Sequence, residues 1–336
     1  MENNNDIDFV ITWVDSNDPA WRKEKARYSG LADNSFESVY NQNDVRYRDW
    51  GLLRYWFRAV EQYAPWVRCI HFVTWGHIPA WLNTENPKIH VVKHTDYIDA
   101  EYLPTFSSRP IELNMHRIPG LSEKFVYFND DMYLNSPVSQ RDFFHNNLPC
   151  DSAILDTILA RKSGIANSIV NSLKVINEYF SVRETIKQKP NNWLNLKYGK
   201  DVIKTLLLLP WGYFTGFVET HTANAFLKST FQEVWEKEEK YMREVSSSKF
   251  RDEKGTSQWL MRYWQLASNT FYPRTLRFQA YFGPSEMHKA AIEISREKYK
   301  LLCINDSEQI RDYDMVRREL IDAFERKYPH KSTFEL

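Results

Sequence analysis

The sequence predicts an α/β fold in which a central sheet is flanked by helices and a helical insertion interrupts the middle of the chain. Three observations predict it. Short apolar runs alternate with segments of helical periodicity. One such helical segment joins the first two runs, as in a parallel crossover unit. Strand-like runs also flank the helical middle on both sides, so the C-terminal part folds back to complete the same domain.

In chain order, the strand-like runs are residues 9–13, 69–74, 89–93, 125–128, 276–282 and 300–304. Between the first two, Asp49 is placed to cap a helix whose one face carries Leu53, Trp56, Phe57 and Val60, with Pro65 just past its end. Ile165, Ile169, Leu173, Ile176 and Phe180 form a second stripe, and the polar stretch KQKPNNWLNLKYGK (187–200) reads as a connection containing helix breakers. A long helix is predicted after His221, carrying Phe226, Leu227, Phe231, Val234 and Trp235. Another starts near Thr256, and a last one carries Val316, Leu320 and Phe324 before Pro329. The organisation expected is one catalytic domain over 1–336: a half that binds donor and metal (1–148), a helical insertion (149–210) and a C-terminal catalytic half (211–336).

Bulk properties exclude several classes. Lys plus Arg and Asp plus Glu are equal at 44 each, so no global field recruits nucleic acid or a membrane. Association with a membrane-bound assembly complex would need a local patch that net charge does not reveal. Aromatic residues make up 15% of the chain, which argues against disorder and suits carbohydrate or nucleotide surfaces, although most rings belong to a core. Cys69, Cys150 and Cys303 form no CxxC pair; a disulfide framework and a zinc knuckle are disfavoured, and a reducing compartment fits. MENNNDID lacks the basic and apolar regions of a secretory signal, and no apolar run approaches the ~20 residues of a membrane span, 206–209 being the richest. The expected location is the cytoplasm, peripheral to the inner face of the membrane if such a patch exists. With ten glycines and no GxGxxG, GxxxxGK[ST] or HExxH, dinucleotide, P-loop and zincin chemistries are disfavoured. Ser107 and Ser108 lie close to His116 but outside any nucleophile-elbow context.

Three polar clusters remain at strand ends. In ITWVDSNDPAW (11–21) an apolar strand runs out into Asp15, Asn17 and Asp18, carboxylates able to accept from a ribose or base, or simply an Asx turn. LPTFSSRPIELNMHRI (103–118) packs Arg109, Glu112, His116 and Arg117 together; if helical from Pro110, Glu112 and His116 share a face, and the arginine forks suit phosphate. The alternative is an exposed helix with an internal ion pair. In FVYFNDDMYL (125–134) a buried strand ends in adjacent carboxylates, which is costly unless a cation or a solvated turn compensates. Ligands of α/β folds gather at the carboxyl ends of strands, and a hard cation takes one or two carboxylates plus substrate phosphates.

Taken together, these segments resemble the Stealth family of sugar-1-phosphate transferases. The resemblance rests on DFVITWVDSNDPAW, on RYRDWGLLRYWFRAVEQYAPWV with IHFVTWGHIPAWLN and LPTFSSRPIELNMHRIPGLSEKFVYFNDDMYL, on ETHTANAF and KFRDEKGTSQWL, and on LLCINDS. The fold expected is then a Rossmann-like, glycosyltransferase-A-like central sheet. The resemblance implies transfer of a hexose 1-phosphate from a UDP-sugar to a hydroxyl of a growing polysaccharide, with release of UMP. It implies donor binding by Asp15, Arg46 and Asp49, Mg²⁺ (or Mn²⁺) at Asp130 and Asp131, and active-site roles for His221, Arg251, Asn305 and Asp306. Chemically, His221 suits a general base for the acceptor hydroxyl, and Arg251 with Arg109 or Arg117 suits a phosphate clamp. Glu112 and His116 join the substrate-binding set. Where eukaryotic relatives carry acidic residues at the start of the first helix, Trp50, Gly51 and Leu52 stand here, which favours a compact bacterial glycan enzyme. The membrane-bound complex would then be capsule assembly machinery. The rival readings are a metal-dependent glycosyltransferase that releases UDP and a non-catalytic glycan-binding protein of capsule assembly.

Overall fold

The computed structural model describes residues 6–29, 47–159, 165–307, 309–310 and 312–336. Among the described residues eleven strands fall into three sheets. They are β1 (Ile7–Thr12), β2 (Ile70–Thr74), β3 (Ile89–Lys93), β4 (Lys124–Phe128), β5 (Met132–Leu134), β6 (Phe144–His145), β7 (Leu148–Asp151), β8 (Asn224–Leu227), β9 (Tyr272–Pro273), β10 (Gln279–Phe282) and β11 (Leu301–Ile304). The main sheet has the order β3-β2-β1-β4-β8 and is parallel except for β8, which runs antiparallel to β4. A smaller sheet, β10-β11-β5, and a third, β6-β7-β9, extend it.

Strand residues alternate between two cores because successive side chains leave opposite faces. Phe9, Ile11, Val126 and Phe128 join one core, packed by the helices Leu53–Tyr63, Met287–Arg296 and Tyr313–Lys327. Val10, Phe125 and Tyr127 join the other, packed by Ala166–Tyr179, Lys228–Lys237, Glu239–Ser247 and Trp259–Ala267. Burial on both faces explains why these strands are apolar throughout rather than alternating. The result is the predicted α/β architecture, with helices on both sides of a mainly parallel sheet.

Four local expectations are corrected. Residues 224–227 form β8, and the helix begins only at Lys228. Pairing of Phe125 with Phe226 and of Val126 with Ala225 completes the sheet edge and overrides a helical pattern that Phe226 and Leu227 had suggested. Asp49 does not cap the helix Leu53–Tyr63, whose start at Leu52 has no side-chain cap. Its Oδ1 instead accepts from the N–H of Gly51 (2.7 Å), and Gly51 adopts φ +71°, a conformation glycine takes without penalty. Residues 276–278 are a 3₁₀ turn, so that strand starts at Gln279. The 187–200 connection folds into two short turns, Pro190–Trp193 and Leu196–Asp201, anchored by fully buried Trp193, whose Nε1 donates to Asn269 Oδ1 at 2.9 Å.

At the opposite end of the sheet from the strand carboxyl termini, Asp8 is completely buried in β1. Burial alone would raise its pKa. Bonds from His71 (3.0 Å) and the Arg68 guanidinium, together with the Ser122 N–H (2.8 Å), hold it below the ordinary carboxylate value. A carboxylate depressed in the folded state stabilises fully above its unfolded pKa and loses that contribution as pH falls towards its folded pKa. Replacing Asp8 by Ala, which leaves buried donors unpaired, is expected to cost about 3 kcal/mol near neutral pH. Urea unfolding at pH 6 and pH 3 should show the difference between wild type and Asp8→Ala shrinking at the lower pH.

Candidate active site

The strand order 3-2-1-4 reverses direction between β1 and β4, and such a switch point opens a crevice at the strands' carboxyl ends. Both acidic segments found in the sequence emerge there: Asp15 and Asp18 after β1, and Asn129, Asp130 and Asp131 after β4. β11 ends at the same place, because its antiparallel pairing with β5 sets Cys303 opposite Met132 and the Ile304 N–H donates to the Asp131 carbonyl at 2.9 Å. Asn305 and Asp306 follow directly.

These carboxylates crowd one another. Asp130 reaches solvent, yet the protein mass around it displaces water, and this, with the charges of Asp131, Asp49 and Asp306, pushes its pKa up to about 8. Asp49 is raised as well, by burial first and by Asp15. Asp306 is partly offset by Arg48, whose Nε donates to Oδ2 at 2.9 Å while its guanidinium stacks 4.0 Å from the Tyr313 ring. The two oxygens of Asp131 differ. Oδ2 lies 3.6 Å from His221 Nε2 and accepts from the Cys303 thiol at 3.3 Å, whereas Oδ1 is buried with no hydrogen-bond partner. Ligand atoms of Asp131, His221 and Cys303 all fall within 4.8 Å of one another.

His221 holds φ +37°, unusual for a residue with a β-carbon and an indication of local backbone strain. Its ring is half-buried between Trp259 (6.3 Å) and Tyr281 (5.7 Å). Burial pushes its pKa down, but the Asp131 carboxylate outweighs that and the net shift is upward. Glu112, which also acts on His221, is 3% exposed and its pKa is raised by burial against the opposing charge of Arg251. Arg251 Nη2 donates to Ser108 Oγ (2.7 Å), and buried Arg109 donates to the Asp252 carbonyl. Gly255 backs this wall: a β-carbon there would stand 2.5 Å from Arg109 Nη1.

Beside the carboxylates, a cavity of about 330 Å³ is lined by Trp13, Asp15, Asn17, Asp49, Arg54 and Trp81. Asp15 is presented into it by a tight turn in which its N–H donates to His77 Nε2 (2.7 Å) and its Oδ1 accepts from Asn17 (2.8 Å). Asp18 serves the helix Pro19–Ser29 by accepting from Trp21 N (2.8 Å), so the Asx-turn reading and the binding reading both find residues in this segment.

Asp15, Asp49, Asp130, Asp131, His221 and Asp306 are thus brought to one crevice, with Glu112, Arg109 and Arg251 behind His221 and Asn305 beside Asp306. Arg46 lies outside the described residues. Arg117 and His116 are not brought to the crevice, and the expectation for them is corrected. The helix Ser108–Leu113 ends at Asn114, and a separate 3₁₀ turn, Met115–Arg117, aims both elsewhere. Arg117 pairs with Asp99 (2.6 Å) over the Trp235 ring, and His116 packs against Phe231 and Trp235, where burial lowers its pKa to about 3. Three residues that contact or act on the candidate set escaped the sequence reading. Arg48 stands two positions from Arg46 and Cys303 two before Asn305, close enough for a search around the motifs to find them. Glu219, whose pKa rises to about 7 through burial and which accepts from Tyr263, had only its proximity to His221 as a signal.

Two family signatures match this chain: Stealth protein CR1, conserved region 1, over residues 5–31, and Stealth protein CR2, conserved region 2, over residues 46–151. Along its whole length the chain is similar to capsular polysaccharide phosphotransferase WcwK of Streptococcus pneumoniae, 44% identical over 341 residues that cover 100% of this chain and 99% of that protein. It is also similar to exopolysaccharide phosphotransferase cps2G of Lactiplantibacillus plantarum, 39% identical over 332 residues covering 98% and 96% of the two chains. A solved structure of galactosyltransferase LgtC with donor and acceptor sugar analogues aligns at TM-score 0.40 and 9% identity, covering 94% of this chain and 95% of that one. The protein is an enzyme, a transferase. It belongs to the Stealth family.

The site also fixes thiol chemistry. Burial and the neighbouring Asp131 hold the Cys303 thiol well above its usual pKa, and burial raises Cys69 and Cys150 to about 11. Thiolate is the reactive form. Ellman's reagent at pH 8 is therefore expected to label the folded protein slowly and to count all three thiols promptly once the chain is denatured.

Proposed function

We propose that the enzyme transfers a hexose 1-phosphate, such as N-acetylglucosamine 1-phosphate, from a UDP-sugar to a hydroxyl of a growing capsular or cell-surface polysaccharide, forming a phosphodiester and releasing UMP. The observation that carries this reading is the carboxylate crowd at the switch point, in which Asp131 Oδ1 is buried without a partner and Asp130 is pushed up to about 8. Repulsion of this kind is relieved by a cation. The carboxylate oxygens of Asp130 and Asp131 suit Mg²⁺, with Mn²⁺ as the alternative, whereas His221 and Cys303, whose ligand atoms cluster with that of Asp131, are softer donors. Asp130 and Asp131 would hold it, and Cys303, kept protonated, acts as a hydrogen-bond donor to Asp131. When bound, the ion supplies charge neutralisation along the donor diphosphate.

The chain's own residues do the rest. The 330 Å³ cavity takes the nucleoside, with Asp15 accepting from ribose hydroxyls and the Trp13 and Trp81 rings as apolar walls. Asp131 Oδ2 orients His221 through Nε2, which leaves Nδ1 to take the proton of the acceptor hydroxyl. The acceptor oxygen bonds to the phosphorus that carries the sugar, the bond to UMP breaks, and the electron pair leaves with UMP. Arg251 and Arg109 stabilise the charge on the transferred phosphoryl group. In this reading residues 1–148 bind donor and metal, 149–210 are an insertion, and 211–336 contribute the base and the phosphate clamp within one catalytic domain.

The test incubates the full chain with a panel of UDP-sugars, Mg²⁺ and capsule oligosaccharides, then identifies the released nucleotide and the linkage by phosphorus NMR. UMP with a phosphodiester is expected; UDP, or a product without phosphorus, overturns the reading. His221→Ala should lower kcat by roughly 10²–10⁴-fold with the thermal midpoint kept. EDTA should abolish turnover of the wild type and added Mg²⁺ should restore it.

A further inference from the structure

The chain from Leu196 to Tyr213 is built with its polarity reversed. In the helix Val202–Leu208 the one fully buried residue is Thr205, whose hydroxyl accepts from the Leu155 N–H at 3.1 Å. Ile203, Leu206 and Leu207 point outward, Leu207 being 66% exposed. On either side, Leu196 is 96% exposed, Trp211 66% and Tyr213 67%. A helix packed on a soluble core buries its leucines and leaves its threonine in water. Here six large apolar side chains within eighteen residues face out, a local concentration of exposed apolar surface rather than single scattered residues.

The surrounding charge is equally local. Residues 187–213 carry five lysines (187, 189, 197, 200 and 204) against one acidic residue, Asp201, a net charge of +4 in a chain whose total is zero. All five lysines are exposed, and Lys197, Lys200 and Lys204 lie in the same turns as the outward apolar residues, Lys204 being ion-paired with Asp156 at 2.7 Å. Aromatic residues with both an apolar body and a polar tip, a leucine-rich outer face, and flanking lysines with long stems that let the charge stay in water are the combination an anionic lipid surface selects. Among the described residues no helix is long and apolar enough to cross a membrane, and this seven-residue helix can only lie in the surface plane.

We propose that the face formed by Leu196, Ile203, Leu206, Leu207, Trp211 and Tyr213 docks the enzyme on an anionic lipid bilayer. The face is tethered to the active site. Tyr213 and His221 are eight positions apart, so the two are at most about 28 Å apart even with the intervening chain fully extended. Docking therefore holds the crevice within reach of acceptor glycan presented from the same membrane. That consequence rests on the proposed transfer reaction; the lipid binding does not.

The experiment is co-sedimentation of the full chain with vesicles made of equal parts phosphatidylglycerol and phosphatidylcholine, and with phosphatidylcholine vesicles alone. Binding to the mixed vesicles is expected, weaker on phosphatidylcholine and weakened by added salt. The triple variant Leu206→Gln, Leu207→Gln, Trp211→Gln should reduce binding by at least about tenfold while keeping the wild-type thermal midpoint. Should that variant fold poorly, the charge-reversed pair Lys200→Glu, Lys204→Glu provides the same reading. A wild type that stays in the supernatant with mixed vesicles overturns the proposal, as does binding unchanged in folded variants. A wild-type dimer that the triple variant loses, without vesicle binding, overturns it in favour of a second copy of this chain covering the face. Because none of these measurements involves turnover, failure here and failure of the proposed reaction are separable.

Discussion

The antiparallel pairing of β5 with β11 is the constraint on which the site depends. β5 begins one residue after Asp131, and the Ile304 N–H bonds the Asp131 carbonyl (2.9 Å), so the two ends of the chain meet at a fixed register. Without it, Asp130 and Asp131 would end a strand on the N-terminal half, and Cys303, Asn305 and Asp306 would lie in a C-terminal segment with no reason to face them. With it, Cys303 donates to Asp131 and the Asp306 charge is felt by Asp130. Arg48, held between Asp306 and Tyr313, ties the segment before the helix Leu53–Tyr63 to the same junction.

Crowding of this kind is stable only in part. Two buried carboxylates elsewhere in the protein are settled by hydrogen bonds and cations: Asp8 has His71, Arg68 and a backbone N–H, and Asp151 has the buried Arg262 guanidinium at 2.8 and 2.9 Å. Among the described residues Asp130 and Asp131 have no such cation; Asp131 has only the protonated Cys303 thiol at 3.3 Å and, at 3.6 Å, a histidine whose own charge is pH-dependent. The contrast between the two kinds of acidic site, one satisfied and one left short, is what separates structural carboxylates from those available to a ligand. The strained backbone at His221 belongs to the same logic, since the ring is held against Asp131 by a conformation that the local chain does not favour.

Much of the site was legible because its residues sit in short, local patterns. An apolar run that ends in acidic residues places those residues at a strand terminus, which is why Asp15, Asp130 and Asp131 could be singled out before any contact was known. Patterns that needed a partner elsewhere misled. Glu112 and His116 have helical spacing, but Asn114 ends the helix between them and turns His116 into the core against Phe231. Phe226 and Leu227 fit a helix equally well until β4 supplies a strand to pair with. Asp49 looked like a cap from its position and instead braces the turn at Gly51.

Periodicity, charge balance and the acidic strand ends are properties of neighbouring residues, and the sequence by itself determined them: the α/β class, the absence of a global field, and Asp15, Asp130 and Asp131 as acidic candidates, whereas His221 was reached through the family resemblance. Tertiary structure decided which of those candidates meet, because meeting depends on register between segments more than a hundred residues apart. It also decided which way a helix faces. Leu206 and Leu207 read as an unremarkable apolar run in the sequence, and only the burial of Thr205 against Leu155 turns them outward.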